Sequence, residues 1–89
     1  MGYRSRLAVG FTLSVTVTAA VLATDQPCVG LLIQADPDNS VDIFIGGDAT
    51  TLPIQLAAGS SFSCTVENAN VLYAKTASST ATLNCLAFR

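Results

Sequence analysis

The strongest constraint on the fold is an alternation of apolar and hydroxyl side chains near the start of the chain. Between residues 11 and 18 every second residue is apolar, at Phe11, Leu13, Val15 and Val17, and each residue between them is Ser or Thr. A period of two places successive side chains on opposite faces of an extended chain. The segment therefore predicts a β-strand with one face buried and the other in water.

The same segment has the outline of a secretory signal peptide, and that alternative stays open. Arg4 and Arg6 precede an apolar stretch that begins at Leu7 and ends in small residues at Ala23. A signal core or a membrane anchor gains from apolar residues on all sides, and a spanning helix needs about 20 of them. The row of hydroxyls favours the strand over both alternatives, so we expect no membrane attachment.

A cluster of oxygen-bearing side chains lies between two apolar runs. Its members are Asp36, Asp38, Asn39, Ser40 and Asp42. An EF-hand calcium loop requires Gly at its sixth position and Glu at its twelfth, whereas counting from Asp36 these positions hold Val41 and Gly47. Asp and Asn are also typical of turns, because they hydrogen-bond to the local backbone. We expect strands at 28–35 and 41–47 to form a hairpin with no metal site, and a looser calcium site is the alternative.

Further segments of strand length follow, separated by turn-forming residues, with one turn expected at 58–60. These strands are the residues after Pro53, 61–66, 71–76 and 81–88. No segment shows the 3.6-residue period of a helix. The sequence predicts an all-β fold, a single small β-sandwich or jelly-roll-like domain of about seven or eight antiparallel strands. That domain would span residues 1–89, with residues 1–6 as a candidate N-terminal arm.

Charged residues are too scarce to cover the surface of an isolated domain. They make up 11% of the 89 residues and hydrophobic residues make up 51%, whereas ordinary soluble domains carry about 25% charged residues. A chain of this size also has only a small core. We therefore expect the protein to cover part of its apolar exterior with other chains, including copies of itself.

Several function classes lack the residues that they need. The net charge is −2 without a cluster of Lys or Arg, so nucleic acid is not an expected partner. The absence of His removes the commonest general base, and we expect neither an enzyme nor a cofactor. Cys28, Cys64 and Cys85 lack the spacing of a zinc site and are interpreted as buried thiols. One disulfide plus one free thiol, in an oxidising compartment, is the alternative.

Four short motifs resemble a family of small phage virion proteins. They are I-Q-A-D-P-D-N from Ile33, V-x-I-x-I-G-G from Val41, L-A-x-G-x-S from Leu56 and N-x-x-x-L-Y-A from Asn68. Ala58 and Ser60 stand where the family often has Pro and an acidic residue. The resemblance, to head decoration (cement) proteins and other small virion adaptors, implies a compact β-sandwich or jelly roll. It also implies assembly as a trimer and no catalytic residues.

The resemblance and the low charge together predict a structural protein of a phage virion. Such a decoration protein would be made in the host cytoplasm, bind the major capsid protein on the capsid exterior and stabilise the head. The alternative is a tail, neck or fibre adaptor of the same fold that binds a host glycan. Predicted interface residues are of types enriched in interface centres. They are Tyr3, Arg4, Arg6, Phe88 and Arg89; for the first three, a mobile terminus is the alternative.

Overall fold

Eight β-strands and one short 3₁₀ helix make up the part of the chain that the structure describes. A computed structural model describes residues 8–89. The strands are β1 (Ala8–Val15), β2 (Ala20–Val21), β3 (Gly30–Ala35), β4 (Ile43–Gly46), β5 (Ile54–Leu56), β6 (Ser61–Cys64), β7 (Tyr73–Thr76) and β8 (Ala81–Phe88), and the 3₁₀ helix is Ala69–Val71. Across these residues no helix has the length and apolarity needed to span a bilayer. The predicted all-β class is confirmed.

The strands form two four-stranded antiparallel sheets that pack face to face. Sheet A has the strand order β1-β8-β3-β6, and sheet B has the order β2-β7-β4-β5. The core lies between the sheets, where Ile33, Ile43, Ile45 and Leu83 are each at most 1% exposed. Removing such side chains from water is the main term that favours folding. The fold is a small β-sandwich, as predicted.

The alternation near the start of the chain produces β1. Its apolar side chains point toward the core and its hydroxyls are exposed. The whole strand pairs with β8 in an unbroken antiparallel register, from Ala8 opposite Phe88 to Val15 opposite Ala81. The predicted strand is therefore confirmed over this range.

The end of that strand was predicted incorrectly. The alternation continues in the sequence to Thr18, but β1 ends at Val15 and Val17 is 54% exposed. The chain leaves sheet A here, since the carbonyl of Thr16 accepts a hydrogen bond from the N–H of Thr76 in sheet B at 2.9 Å. A pattern of side chains specifies an extended backbone but not the point at which it changes sheets.

The predicted hairpin around the oxygen cluster is wrong. β3 lies in sheet A and β4 lies in sheet B, so residues 36–42 cross between the sheets. The local turn chemistry is nevertheless present, because the Asp36 carboxylate accepts a hydrogen bond from the N–H of Asp38 at 2.9 Å. Such a turn reverses the chain without selecting the strand that pairs next. Here two strands with buried faces pack against each other across the core instead of pairing.

The side chain of Asn39 fixes the crossing segment to sheet A. Its Nδ2 donates to the carbonyl of Thr82 at 2.9 Å, and its Oδ1 accepts from the N–H of Thr82 at 2.8 Å. The carbonyl of Thr82 also accepts from the N–H of Asp36 at 3.0 Å. The side-chain amide of Asn39 thus takes the place of a paired strand residue at the start of β8.

Two turn-forming residues behave as the sequence indicates. Pro53 precedes β5, which is an edge strand of sheet B, where a missing backbone N–H is tolerated. The turn at 58–60 contains Gly59 at a φ of +83°, in the left-handed region that favours glycine.

Most predicted strands were longer than the observed ones by one or two residues at an end. For 61–66 the strand ends at Cys64, and for 71–76 it begins at Tyr73. The residues before Tyr73 form the 3₁₀ helix, whose N-cap is the side chain of Asn68. An N-cap oxygen competes with strand pairing for backbone N–H groups, which explains the later start. The last strand, 81–88, has the predicted bounds.

The three cysteines are free thiols. Cys28 and Cys85 are buried as predicted, whereas Cys64 is half-buried, so the prediction was wrong for that residue. Its strand, β6, lies at the edge of sheet A, where side chains that point toward the core remain open to solvent from the side.

Candidate interaction surface

Two of the five predicted interface residues lie on the described surface. Phe88 ends β8 with 40% of its surface exposed, and Arg89 is also exposed. Tyr3, Arg4 and Arg6 lie outside the described residues. Of the predicted interface residues, the structure therefore places only Phe88 and Arg89, which are adjacent in the chain.

An exposed apolar patch surrounds Phe88 at one end of sheet A. Phe88 lies between Ala8 of β1 and Gly30 of β3 in the strand register. Its carbonyl accepts a hydrogen bond from the N–H of Val29 at 2.7 Å, and Val29 is 67% exposed. Because both neighbours in the register are small, the ring of Phe88 stands above the sheet surface.

The outward side chains of sheet A form a flat surface, here called the A face. Its members are Ala8, Gly10, Thr12 and Ser14 of β1, Thr82, Asn84, Leu86 and Phe88 of β8, Gly30, Leu32 and Gln34 of β3, and Ser61 and Ser63 of β6. None of these residues carries a charge. A solvent-exposed sheet face normally carries polar and charged side chains, so this composition is unusual.

The A face is apolar toward its Phe88 end. Leu86 and Leu32 are paired in the register, and Gly10 lies beside Leu86 on the other strand. A Cβ atom at Gly10 would lie 3.8 Å from Cδ1 of Leu86, so the glycine leaves the leucine uncovered without being sterically required. The two leucines line part of a shallow depression of about 280 Å³. Gln34, Ser61 and Asn84 line its other side, so the leucine side of the depression suits an apolar side chain of a partner.

The other end of the A face is polar. The Nδ2 of Asn84 lies 3.5 Å from Oε1 of Gln34 and 3.3 Å from Oδ2 of Asp36. Asp36 belongs to the crossing segment beyond β3, so its charge lies next to the polar end of the A face and not on it. Hydrogen bonds between side chains fix the orientation of the amides, which leaves a preorganised set of donors and acceptors beside the apolar half.

The outward side chains of sheet B form a different surface, here called the B face. Its members are Val21, Phe44, Gln55, Tyr73 and Lys75. Gln55 donates through Nε2 to Oδ2 of Asp42 at 2.6 Å, and Lys75 lies beside Phe44 in the register. Lys75 is thus the one charged member of the B face, and Asp42 of the crossing segment lies at its margin. Both groups interact strongly with water.

Three ionisable groups of the described chain have shifted pKa values, and none lies at the exposed apolar patch. Burial raises the pKa of the Cys85 thiol to about 12. Burial, and to a smaller extent the nearby Cys28, raises the pKa of the Cys64 thiol. Hydrogen bonds from Thr50 and Thr51 lower the pKa of Asp48. Across residues 8–89 no group of three or more Cys, Asp or Glu side chains could hold a metal ion.

Sequence reasoning missed Leu32, Leu86 and Val29 as surface residues. The signal was present for the two leucines, because β3 and β8 contain the consecutive apolar residues Leu31–Ile33 and Cys85–Phe88. Consecutive apolar residues on a strand must occupy both faces of its sheet. The outward members therefore either meet another layer or remain exposed, and in this structure they remain exposed or half-buried.

No protein-family model matches the chain, and no curated protein or solved structure matches it. The resemblance to phage decoration proteins therefore stays a prediction.

Proposed function

We propose that this chain is a structural protein of a phage head that binds the major capsid protein lattice from outside through the A face. The observation that supports it is the absence of charge over an entire sheet face, whereas the other face carries Lys75 and has Asp42 at its margin. An uncharged, partly apolar face can be removed from water without the cost of desolvating ions. Binding here requires surface complementarity and no chemical reaction.

The size of the A face fits a contact that is repeated many times. Strands of 8, 8, 6 and 4 residues, at about 3.3 Å per residue and about 4.8 Å apart, give a projected area of about 400 Å². A specific interface of standard size buries about 800 Å² on each partner. One such contact is therefore weak, and a regular lattice compensates, because chains that also contact one another bind with avidity.

In this orientation the B face points away from the capsid. Lys75 and the charges of the surrounding loops would then keep the particle surface hydrated and soluble. Clamping adjacent capsid subunits would raise the free energy needed to separate them, which is how the protein would stabilise a filled head. Self-association belongs to the same proposal, and the trimer implied by the family resemblance stays a prediction.

The first test measures location and copy number. Quantitative mass spectrometry of purified particles should give hundreds of copies per head, in a fixed ratio to the major capsid protein. Heads that lack the protein should assemble but release their genome at a lower temperature, and adding the purified chain back should restore the release temperature. A handful of copies per particle would place the chain at the tail or neck, and an unchanged release temperature would refute the stabilising role.

The second test asks whether the A face makes the contact. Phe88 and Ile54 are both large exposed apolar residues, 40% and 45% exposed, but Phe88 lies on the A face and Ile54 lies on β5 of sheet B. A buried Phe contributes about 1.5–3 kcal/mol, so Phe88→Lys should weaken binding to bare heads about ten-fold or more. Ile54→Lys should bind as the unchanged chain does. Equal loss in both variants would contradict this assignment of the surface.

A further inference from the structure

The edge of sheet A that β1 forms is unlike the other sheet edges of the described chain. β1 has 8 residues, whereas the edge strands β2, β5 and β6 have 2, 3 and 4 residues. β1 contains no charged residue and no proline, and its register with β8 has no bulge. Short strands, charges, prolines and bulges are the devices that prevent strand pairing between proteins. β1 has none of them.

The backbone groups at the free edge of β1 can be assigned from the strand register. The carbonyls of Thr82 and Phe88 accept hydrogen bonds from the chain around β3, so the even-numbered residues of β8 face β3 and its odd-numbered residues face β1. The odd-numbered residues of β1 pair with the latter. The even-numbered residues of β1 therefore direct their N–H and C=O groups outward. These are Ala8, Gly10, Thr12 and Ser14.

Within residues 8–89 no strand pairs with this outer edge. Four residues with one donor and one acceptor each leave eight backbone groups open to pairing, which is the template used in β-strand addition. The partner must therefore supply a strand of similar length with its own edge free.

The core-facing side chains of β1 are also incompletely covered. Val9, Phe11 and Leu13 are half-buried, although they point between the sheets. On the adjacent strand β8, the core-facing Leu83 and Ala87 are 0% exposed. A strand added beside β1 would cover this apolar strip only if it carried apolar side chains at alternate positions. β1 itself has that pattern.

We propose that two copies of this chain pair through β1, antiparallel about a two-fold axis, with Phe11 opposite Phe11 of the second copy. Ala8 then lies opposite Ser14 and Gly10 opposite Thr12 of the second copy. All of the outward backbone groups are matched, with about eight hydrogen bonds between the copies. The two A faces join into one eight-stranded surface.

This register is favoured over its neighbours by hydrogen bonds and side chains together. Moving the axis to Gly10 or to Thr12 keeps outward groups opposite one another but leaves about six hydrogen bonds. With the axis at Phe11, the core side of the new strand pair contains the two Phe11 rings side by side, flanked by Val9 next to Leu13. Aromatic and branched apolar pairs of this kind are the favourable cross-strand contacts of sheets. No like charges meet, because the strand has none.

The geometry favours a second copy in two-fold symmetry over a ring of three. A ring requires the β1 edge to meet a different surface of its neighbour. The other edge strands of the described chain offer at most 4 residues, so half of β1 would stay unpaired. The inference concerns the free protein, and it can hold whether or not the chain binds a capsid.

The purified full chain provides the first test. Sedimentation velocity over a range of concentrations should show a monomer that converts to a dimer. Amide hydrogen exchange should slow with concentration at Gly10, Thr12 and Ser14. The amides of Ser61 and Ser63, which face outward on the opposite edge strand β6, provide the control and should not change. A monomer at every concentration, a trimer, or unchanged exchange on β1 would overturn the proposal.

A matched pair of proline variants provides the second test. Thr12→Pro and Ser63→Pro each remove an outward N–H from an edge strand, which a folded monomer tolerates. Thr12→Pro should weaken dimerisation roughly ten-fold or more, because two donors are lost from the interface and the rings obstruct pairing. Ser63→Pro should dimerise normally. Equal behaviour of the two variants would contradict pairing through β1, and the exchange experiment on the unchanged chain decides the matter if Thr12→Pro does not fold.

Discussion

Sheets A and B each contain four strands, but they differ in strand length and in where charges lie. The strands of sheet A have 8, 8, 6 and 4 residues, and those of sheet B have 2, 4, 4 and 3. In residues 8–89 all acidic residues lie in loops, and Lys75 on the B face is the only charged residue within a strand. A single sandwich thus has one extended face without charged residues and one smaller face that carries Lys75.

The difference shows how a chain with few charges can stay soluble and also present an uncharged surface for contact. Sheet B and the loops carry the groups that interact strongly with water, so they can maintain solubility. Sheet A is then free to present a long, regular, uncharged surface with one unprotected edge. If charge were spread evenly over both faces, any contact of the protein would require ion desolvation. Segregation of charge avoids that cost on one side.

The largest effect on stability is expected from a glycine-to-alanine substitution in sheet B, and the same substitution in sheet A is its control. A Cβ atom at Gly46 in β4 would overlap the carbonyl oxygen of Thr51 and lie 2.5 Å from Cα of Leu52. Backbone cannot move aside as a side chain can, so Gly46→Ala should lower the free energy of unfolding by about 3 kcal/mol.

The matched control is Gly10→Ala in β1. Nothing lies closer than 3.8 Å to a Cβ atom at Gly10, and alanine is better than glycine in a strand interior by about 0.5 kcal/mol. Urea denaturation of both variants measures the two changes. Similar losses in both would show that the two sheets do not differ in the way their backbones are packed.

A second difference is expected in alkaline solution, where a thiol in sheet A should make the free energy of unfolding depend on pH. Burial raises the pKa of Cys85 from its ordinary value of 9.0 to about 12. Above pH 9 the unfolded chain loses this proton while the folded chain retains it, so the free energy of unfolding should fall as the pH rises toward 12. Cys85→Ala should reduce this fall in denaturation measured from pH 8 to 11. An unchanged pH dependence in the variant would assign the effect to other groups.

The sequence predicts the elements of this fold better than their arrangement. Strict alternation in β1 and the apolar runs of β3 and β8 predict strands, because side-chain direction in a strand depends only on residue spacing. Strand partners depend on contacts between distant segments, and the error at 36–42 illustrates this. Asp36 and Asn39 form the expected turn, yet Asn39 bonds to Thr82, which is 43 positions away. No local pattern contains that information.

The candidate surface was predictable to a smaller extent. Residue type and position selected Phe88 and Arg89 near the end of the chain, and both are exposed. The A face as a whole could not be found, because its members come from four strands that are separated in sequence. Leu32 and Leu86 are paired in the sheet, and only the register shows that their outward side chains form one surface.

The smallest effect is expected in acid, from the loop between β4 and β5 of sheet B. Asp48 accepts hydrogen bonds from the N–H of Thr50 at 2.8 Å, the Oγ1 of Thr50 at 2.9 Å and the N–H of Thr51 at 2.7 Å. These bonds hold its pKa below the ordinary value of 3.8. The stabilisation should therefore be complete above pH 3.8 and be lost as the pH falls through the lower folded value. An NMR titration of the Asp48 carboxyl group measures that value directly.

Asp48→Asn keeps one acceptor oxygen without the charge, so it should reduce the loss of stability between pH 4 and 2. Asp38→Asn in the crossing segment provides the control and should leave that loss unchanged. If both variants keep the full acid dependence, the loop carboxylates of sheet B do not contribute to the difference between the sheets.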